Sequence, residues 1–535
     1  MPDHRPDSVA PPSEDSRSAL APLRRPVFRM LWLTWMAANT SMWMNDVAAA
    51  WLMTSLAPSP LWVALVQSAA TLPVFLLGLP SGALADILDR RRYFMMTQLW
   101  VAAVASILCV TVMMGWMTAP LLLALTFANG VGLAMRWPVF AAIVPELVPR
   151  SQLPAALALN GVAMNASRIV GPLVAGAIIA AAGSAWVFVL NAALSLTAAF
   201  VIMRWRREHK ESPLGRERLA SAMRVGVQFV WQSARMRAVL LRISLFFLHS
   251  TALLALLPLV ARSLPGGAAG TFTILLAAMG AGAIVAALLM VRIRALVPAQ
   301  ALLLGGTALQ SAGAVIVAFA PNIYIAVPAM VLAGVAWITV ANSLTVSAQM
   351  ALPDWVRARG MSIYQMALMG STAAGAALWG QIATWTNIHD ALAIAAVSSI
   401  ALMALAQRLV VDRGIEEDLT PSRVFKVPHA EAPPKSGRIQ ANIEYHIDPA
   451  RSAEFLELMQ ESRRSRLRQG ALDWQLLRDL YDPGRFVEQI TDESWTEHLR
   501  RFDRVTAADV QLRDRKLAFH IGAEPPLVTR LLIER

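Results

Sequence analysis

Twelve apolar runs, each long enough to cross a bilayer, fill most of the chain between residues 27 and 411 and leave few architectures open. They lie near 27–56, 61–86, 93–115, 119–145, 153–182, 184–205, 237–261, 270–293, 298–319, 322–350, 357–385 and 388–411, broken by Pro, Gly and charge. A helix spans hydrocarbon with about 20 apolar residues, because it satisfies its own backbone there. With 56% hydrophobic and 15% charged residues, and a mean hydropathy of +0.51, the chain carries too much apolar surface for a water-soluble fold. The expectation is an all-α membrane protein of twelve transmembrane helices.

The basic residues give that protein a direction. Arg24, Arg25 and Arg29 stand before or at the start of the first run. Arg90 to Arg92, Arg150, a basic linker, Arg292 and Arg294, Arg357 and Arg359, and Arg408 and Arg413 each stand at the boundary that closes an even-numbered run. The opposite loops, such as Ala57-Pro58-Ser59-Pro60, have almost none, Arg262 being the exception. Lys and Arg stay on the cytoplasmic side during insertion, so both termini are expected there. The net charge of +12 reads as a topology signal, and no nucleic-acid partner is expected.

An internal repeat divides the spans. Gly130 and Gly334, Pro149 and Pro353, Gly171 and Gly375, and Gly176 and Gly380 are each separated by the same interval. This predicts two six-helix bundles, 23–205 and 237–412. The linker between them, 206–236, carries Arg206, Arg207, His209, Lys210, Arg216, Arg218 and Arg224; it is either a short amphipathic helix on the membrane surface or a plain charged connection. Residues 1–22, rich in Pro, Ser and charge, have no signal-peptide core and are expected to be a disordered tail. Cys109, the only cysteine, excludes a disulfide within the chain and a thiolate cluster; no metal-ligand spacing or phosphate loop occurs, so neither metal nor cofactor is expected.

Between the second and third runs lies Gly82-Ala83-Leu84-Ala85-Asp86-Ile87-Leu88-Asp89-Arg90-Arg91-Arg92. Glycine permits close helix approach, aspartate pairs with helix ends or arginines, and three arginines cannot cross a bilayer. The run resembles the loop between helices 2 and 3 of the major facilitator superfamily, with Ile87 in place of an arginine and Asp89 in place of a glycine. The likeness spans residues 23 to about 412. Within it PLRRPVFRMLW, MNDVAAAWLMTSL, LVQSAATLPVFLLGLPSGALADILDRRR and VPELVPRSQLPAALALNGVAMNASRIVGPLVAGAI resemble the enterobactin-exporter-like group, the transmembrane secretion effectors. The resemblance implies the major facilitator fold and a multi-pass inner-membrane secondary transporter. It does not name the substrate; the expectation is an exporter of small amphipathic or siderophore-like molecules that works by alternating access, with protons and the lipid bilayer as its other partners. It also implies that Gly82, Asp86, Asp89, Arg90, Arg91 and Arg92 form a cytoplasmic gate. Gly171, Pro172 and Gly176 resemble an antiporter motif of the family; a small-residue packing face with a proline kink is the other reading.

Charged groups inside the spans are the candidate site. Asp46 follows Asn45 in the first run among Trp, Leu, Met and Ala; a carboxylate there either loads and releases the coupling proton or forms a fixed ion pair. Glu146 and His249 are the other coupling candidates, His249 with a packing role as the alternative. Arg136 reads as a substrate-selecting cation or the partner of Glu146. Arg168 lies about 20 Å along the fifth run at 1.5 Å per residue, well within the bilayer. Asn45, Arg136, Asn165, Arg168 and Gln365 are the cavity and substrate candidates.

Past the Pro-rich part of a second linker, 413–440, composition becomes that of a soluble domain, 441–522, followed by a tail, 523–535. Strands are expected at 443–447, 473–477 and 485–490, and helices at 449–468 and 494–502. This order resembles a ferredoxin-like, antibiotic-biosynthesis-monooxygenase-like α+β module. Asn442, His446, Trp474 and His498 have the residue types such chemistry uses, and their positions fit packing equally. The leading expectation is thus a transporter without catalytic residues. The rivals are a membrane-anchored oxidative enzyme working through the module, and a module that serves as a dimer contact or regulator.

Overall fold

The computed structural model describes residues 20–57, 59–149, 152–204, 219–409, 418–422, 424–425, 428, 434 and 436–534. The N-terminal tail up to 19 and the linker stretch 205–218 lie outside them. The chain forms two compact units: residues 1–210, 242–343 and 365–408, and residues 211–241, 344–364 and 409–535.

The first unit is helical. Its helices are α1 (Pro26–Leu56), α2 (Pro60–Ile87), α3 (Arg90–Met113), α4 (Ala119–Leu147), α5 (Leu153–Ala182) and α6 (Ser184–Arg204). After α7 (Leu219–Gln232), which belongs to the second unit, come α8 (Ala234–Ser263), α9 (Ala269–Leu296), α10 (Ala299–Ala318), α11 (Ile323–Met350), α12 (Asp354–Trp385) and α13 (Ile388–Leu409), of which α8, α11 and α12 contribute to both units. Local chemistry sets the ends. Proline occupies the first turn of α1, α2, α4 and α5, where its missing N–H costs nothing, Thr118 caps α4, and Gly183 leaves α5 at φ +92°, a conformation that favours glycine. Ten of the described helices are long and apolar enough to cross a membrane. The expected spans α1 and α12 are not among the ten: polar residues such as Asn39, Asn45 and Asp46 in α1, and Arg357, Arg359 and Gln365 in α12, lower their hydropathy.

The glycine repeat has a structural counterpart. A Cβ on Gly130 of α4 would strike the backbone of α2 at Ala70, and one on Gly334 of α11 the backbone of α9 at Met279. Gly171 of α5 lies against Trp43 and Thr40 of α1, and Gly375 of α12 against Leu248 of α8. Gly176 of α5 meets Thr273 of α9, while Gly380 of α12 meets Leu61 and Ala64 of α2. Each pair thus makes the same contact once α1 is exchanged for α8, α2 for α9, α4 for α11 and α5 for α12.

The two ends of this unit are packed differently. Near Thr54 and Ser263 one apolar core takes buried residues from α1 to α6 and from α8 to α13 alike, among them Met53, Leu108, Phe188, Leu256, Phe272 and Trp379. Toward the start of α1 another core, with Phe28, Trp35, Phe94, Phe140, Ile143 and Ile202, draws on α1, α3, α4, α5 and α6 among the described residues.

The second unit holds a four-stranded antiparallel sheet, β1 (Arg438–His446), β2 (Asp473–Arg478), β3 (Arg485–Asp492) and β4 (Leu527–Ile533), in the order β2-β3-β1-β4. With α14 (Ser452–Arg468), α15 (Trp495–Asp503) and α16 (Ala507–Leu517), it is a small α+β domain of the split β-α-β kind. The stretch 523–535, expected to be a tail, supplies β4, which pairs with β1, and α16 is an additional helix. The linker contains α7, whose polar side chains point at this domain: Arg224 pairs with Glu493 at 2.8 Å, and Gln228 donates to the Ala471 carbonyl at 2.8 Å. A plain charged connection is therefore not what lies at 219–232.

Candidate functional site

Asp46 and Gln67 are the polar members of a small pocket otherwise walled by Ala50, Val63, Val66, Ala70, Leu254 and Ala255. Three helices, α1, α2 and α8, meet there. The cation that answers the charge of Asp46 is Arg136 of α4, and no ion pair within 4 Å joins the two. Arg136 is 3% exposed; its guanidinium donates to the Ala38 carbonyl at 3.2 Å and stands 5.3 Å from the ring centre of Trp35, itself stacked on Phe140 at 3.8 Å. Its Nε has no hydrogen-bond partner among the described residues. The sequence suggested Glu146 as the partner of Arg136; the Glu146 side chain lies outside what is described, as do those of Asp86 and Asn165 and the surroundings of Gly82. The link between Asp46 and Arg136, 90 positions apart, carries no sequence signal.

Asn45, adjacent to Asp46, turns the other way. It is fully buried and accepts from Asn191 of α6 at 3.2 Å, with Ser195 behind, so it joins helices and does not line the pocket. His249, 5% exposed, donates from Nδ1 to the Leu245 carbonyl of its own helix at 2.7 Å and lies beside Trp379. That is the geometry of a packing residue. Gln365 is half-buried on α12 and makes no side-chain hydrogen bond among the described residues.

Arg168 of α5 is held by aromatic faces: its guanidinium lies 3.8 Å from the ring centre of Trp337 on α11 and 5.6 Å from that of Trp43 on α1. The helix reaches this position because Gly171, one turn on, lets α5 touch α1, and Ser167 pins the same contact by donating to Met36 at 3.1 Å. Pro172 is buried in the same stretch, and Gly176 presses on α9. At the other charged run, Asp89 is the N-cap of α3, accepting from the Arg92 amide at 2.9 Å, and Arg91 donates to the Met203 carbonyl at the end of α6. Where the family pattern has glycine, this chain thus has a cap. Asp89, Arg91 and Arg92 border a cleft with Met95 and Met203.

In the α+β domain the four residues with catalytic types do not converge. Trp474 donates to Glu488 at 3.0 Å on the helix-covered side of the sheet, and His498 donates from Nδ1 to Asp492 at 2.6 Å on that side. Asn442 and His446 alternate onto the opposite face, bonded to Gln440 and Glu444. Glu488 is fully buried; burial opposes its charge, but Lys516 at 3.1 Å and Arg466, with hydrogen bonds from Trp474 and Ser462, hold the carboxyl well below the usual range. Burial pushes His498 down, against the pull of Asp492, so it is neutral and its Nε2 accepts from Arg530 of β4 at 3.1 Å.

The family model for the transmembrane secretion effectors matches residues 17–535. The chain belongs to that family. As a secretion effector it is a multi-pass membrane protein. Its curated relatives include an uncharacterized MFS-type transporter of Bacillus subtilis, 28% identical over 32% of this chain and 41% of that protein. A staphyloferrin A transporter of Staphylococcus aureus is 26% identical over 26% of this chain and 35% of that one. The chain therefore spans less than half the length of the curated relatives it matches. Among solved structures the secretion effector is similar to a nucleoside transporter (TM-score 0.60, 12% identity, 71% of this chain and 100% of that one). It is also similar to a bacterial homologue of the human lysosomal transporter Spinster, inward-facing and unoccupied (TM-score 0.56, 14% identity, 73% and 96%). At such identities the likeness establishes the fold alone.

Proposed function

We propose that this secretion effector is a proton-coupled exporter of small amphipathic or siderophore-like molecules. In this reading twelve spans form two six-helix halves that rock about a central site in the inner membrane, with both termini in the cytoplasm. The observation that carries it is Asp46, an ionisable group set in a pocket between α1, α2 and α8, helices from both repeats. The shared core near Thr54, which joins both halves, fits a carrier closed on the outside. Asp89, Arg91 and Arg92 then mark the cytoplasmic rim. Inside-out vesicles containing the protein, given an imposed pH gradient and a panel of amphipathic compounds, test it. Uptake of at least one compound that collapses with the gradient is expected; a panel that moves no faster than in vesicles without the protein overturns the proposal.

A further inference from the structure

The two arginines inside the bundle are satisfied differently. Arg136 has a backbone acceptor and a carboxylate that answers its charge. Arg168 has neither among the described residues: its interactions are the faces of Trp337 and Trp43, and it remains half-buried, so its five N–H groups are not spent on the protein. An uncompensated cation at this depth is costly, and indole faces return only part of that cost. The surroundings do not let Arg168 escape to lipid. Three helices, α1, α5 and α11, converge on it, and the next residue, Ile169, is fastened against Gly280 of α9.

We propose that Arg168 anchors the carboxylate of a flat aromatic substrate, whose ring lies against the indoles of Trp43 and Trp337. This deepens the export reading and rests on it. A guanidinium offers a planar pair of donors that matches a carboxylate, and indole walls favour a flat apolar body over a hydrated one. Trp43 comes from α1 and Trp337 from α11, so a molecule seated here touches both repeats, and its charge completes a group that has no counter-ion among the described residues. Selectivity follows: the neutral isostere of an aryl carboxylate leaves the guanidinium unpaired and binds less tightly.

The test uses the full-length protein in detergent, with radiolabelled salicylate as the probe and salicylamide as its uncharged counterpart. Saturable salicylate binding is expected at millimolar concentration or below, with salicylamide at least about tenfold weaker. Arg168→Gln should weaken salicylate by about tenfold, Arg168→Lys by less, and Trp337→Ala should weaken it while Trp337→Phe restores it; gel filtration confirms that each variant is folded. Equal affinity for acid and amide, salicylate binding unchanged in Arg168→Gln, or no salicylate binding at millimolar concentration each overturns the proposal. Binding is read without a gradient, so the two readings fail separately. Salicylate bound by a protein that drives no compound across a membrane leaves the site and removes export, whereas gradient-driven transport without salicylate binding does the reverse.

Discussion

Arg262, in the last turn of α8, donates to the carbonyl oxygen of Thr54 near the end of α1, and its guanidinium stands 5.9 Å from the ring centre of Trp51. It is the one arginine that broke the alternation of basic and non-basic loops. A cation at the carbonyl end of α1 meets the negative end of the helix dipole, and a hydrogen bond from a charged group contributes about 1.5–3 kcal/mol. In the proposed cycle this contact latches the outer ends of α1 and α8, which must part for the outward-open state.

Arg262→Gln should therefore shift the carrier outward. Losing about 1.4 kcal/mol or more of latch changes the ratio of two states roughly tenfold. In a Cys109→Ser background, Ala255→Cys in the pocket wall should react faster with an impermeant thiol reagent added from outside once Arg262 is replaced. An unchanged labelling rate removes the latch.

Gly176 should tolerate no larger side chain, because its α-carbon lies against Thr273 of α9. Gly176→Leu is expected to cost about 1–3 kcal/mol through overpacking and to lower the melting temperature of the purified protein. Gly161, whose α-carbon faces open space, is the comparison: Gly161→Leu should leave the melting temperature nearly unchanged. Equal effects at both positions contradict the close α5–α9 contact.

The helices were legible because an apolar run long enough to span a bilayer has few other uses, and Pro, Gly and arginine mark its ends. The glycine spacing likewise pointed to contacts, since close helix approach requires the absence of a side chain. Other features left no such trace. Arg168 and Trp337 meet across 169 positions, and Arg262 binds a backbone carbonyl, which has no residue identity. β4 was missed because Leu527 to Ile533 lacks strict alternation, its two sides being exposed alike. Arg224 reads in sequence as one more basic residue of the linker, because its partner Glu493 lies far along the chain, in the α+β domain.

The α+β domain should loosen in acid in two stages. His498 is held neutral below its ordinary 6.5, so the unfolded chain takes up a proton that the folded one refuses, and stability is lost as pH falls below 6.5. Glu488 is held ionised below its ordinary 4.5, so a second loss begins as pH falls past that value. Hydrogen exchange of the β1 and β4 amides in the full-length protein, corrected for intrinsic rates, should show both. His498→Gln, which forfeits about 1–3 kcal/mol of buried hydrogen bonding, should remove the first stage and leave the second. A single acid transition shared by wild type and variant contradicts this.

The central claim is that Asp46 carries the coupling proton, and the most direct measurement is pH-gradient-driven accumulation of a transported compound by Asp46→Asn in reconstituted vesicles. The amide keeps the size and hydrogen bonding of the carboxyl but cannot ionise. Accumulation against the compound's own gradient should be abolished, while binding and downhill exchange of that compound persist. Accumulation by the variant with undiminished dependence on the pH gradient would contradict the account, since the proton would then travel by a route that bypasses Asp46.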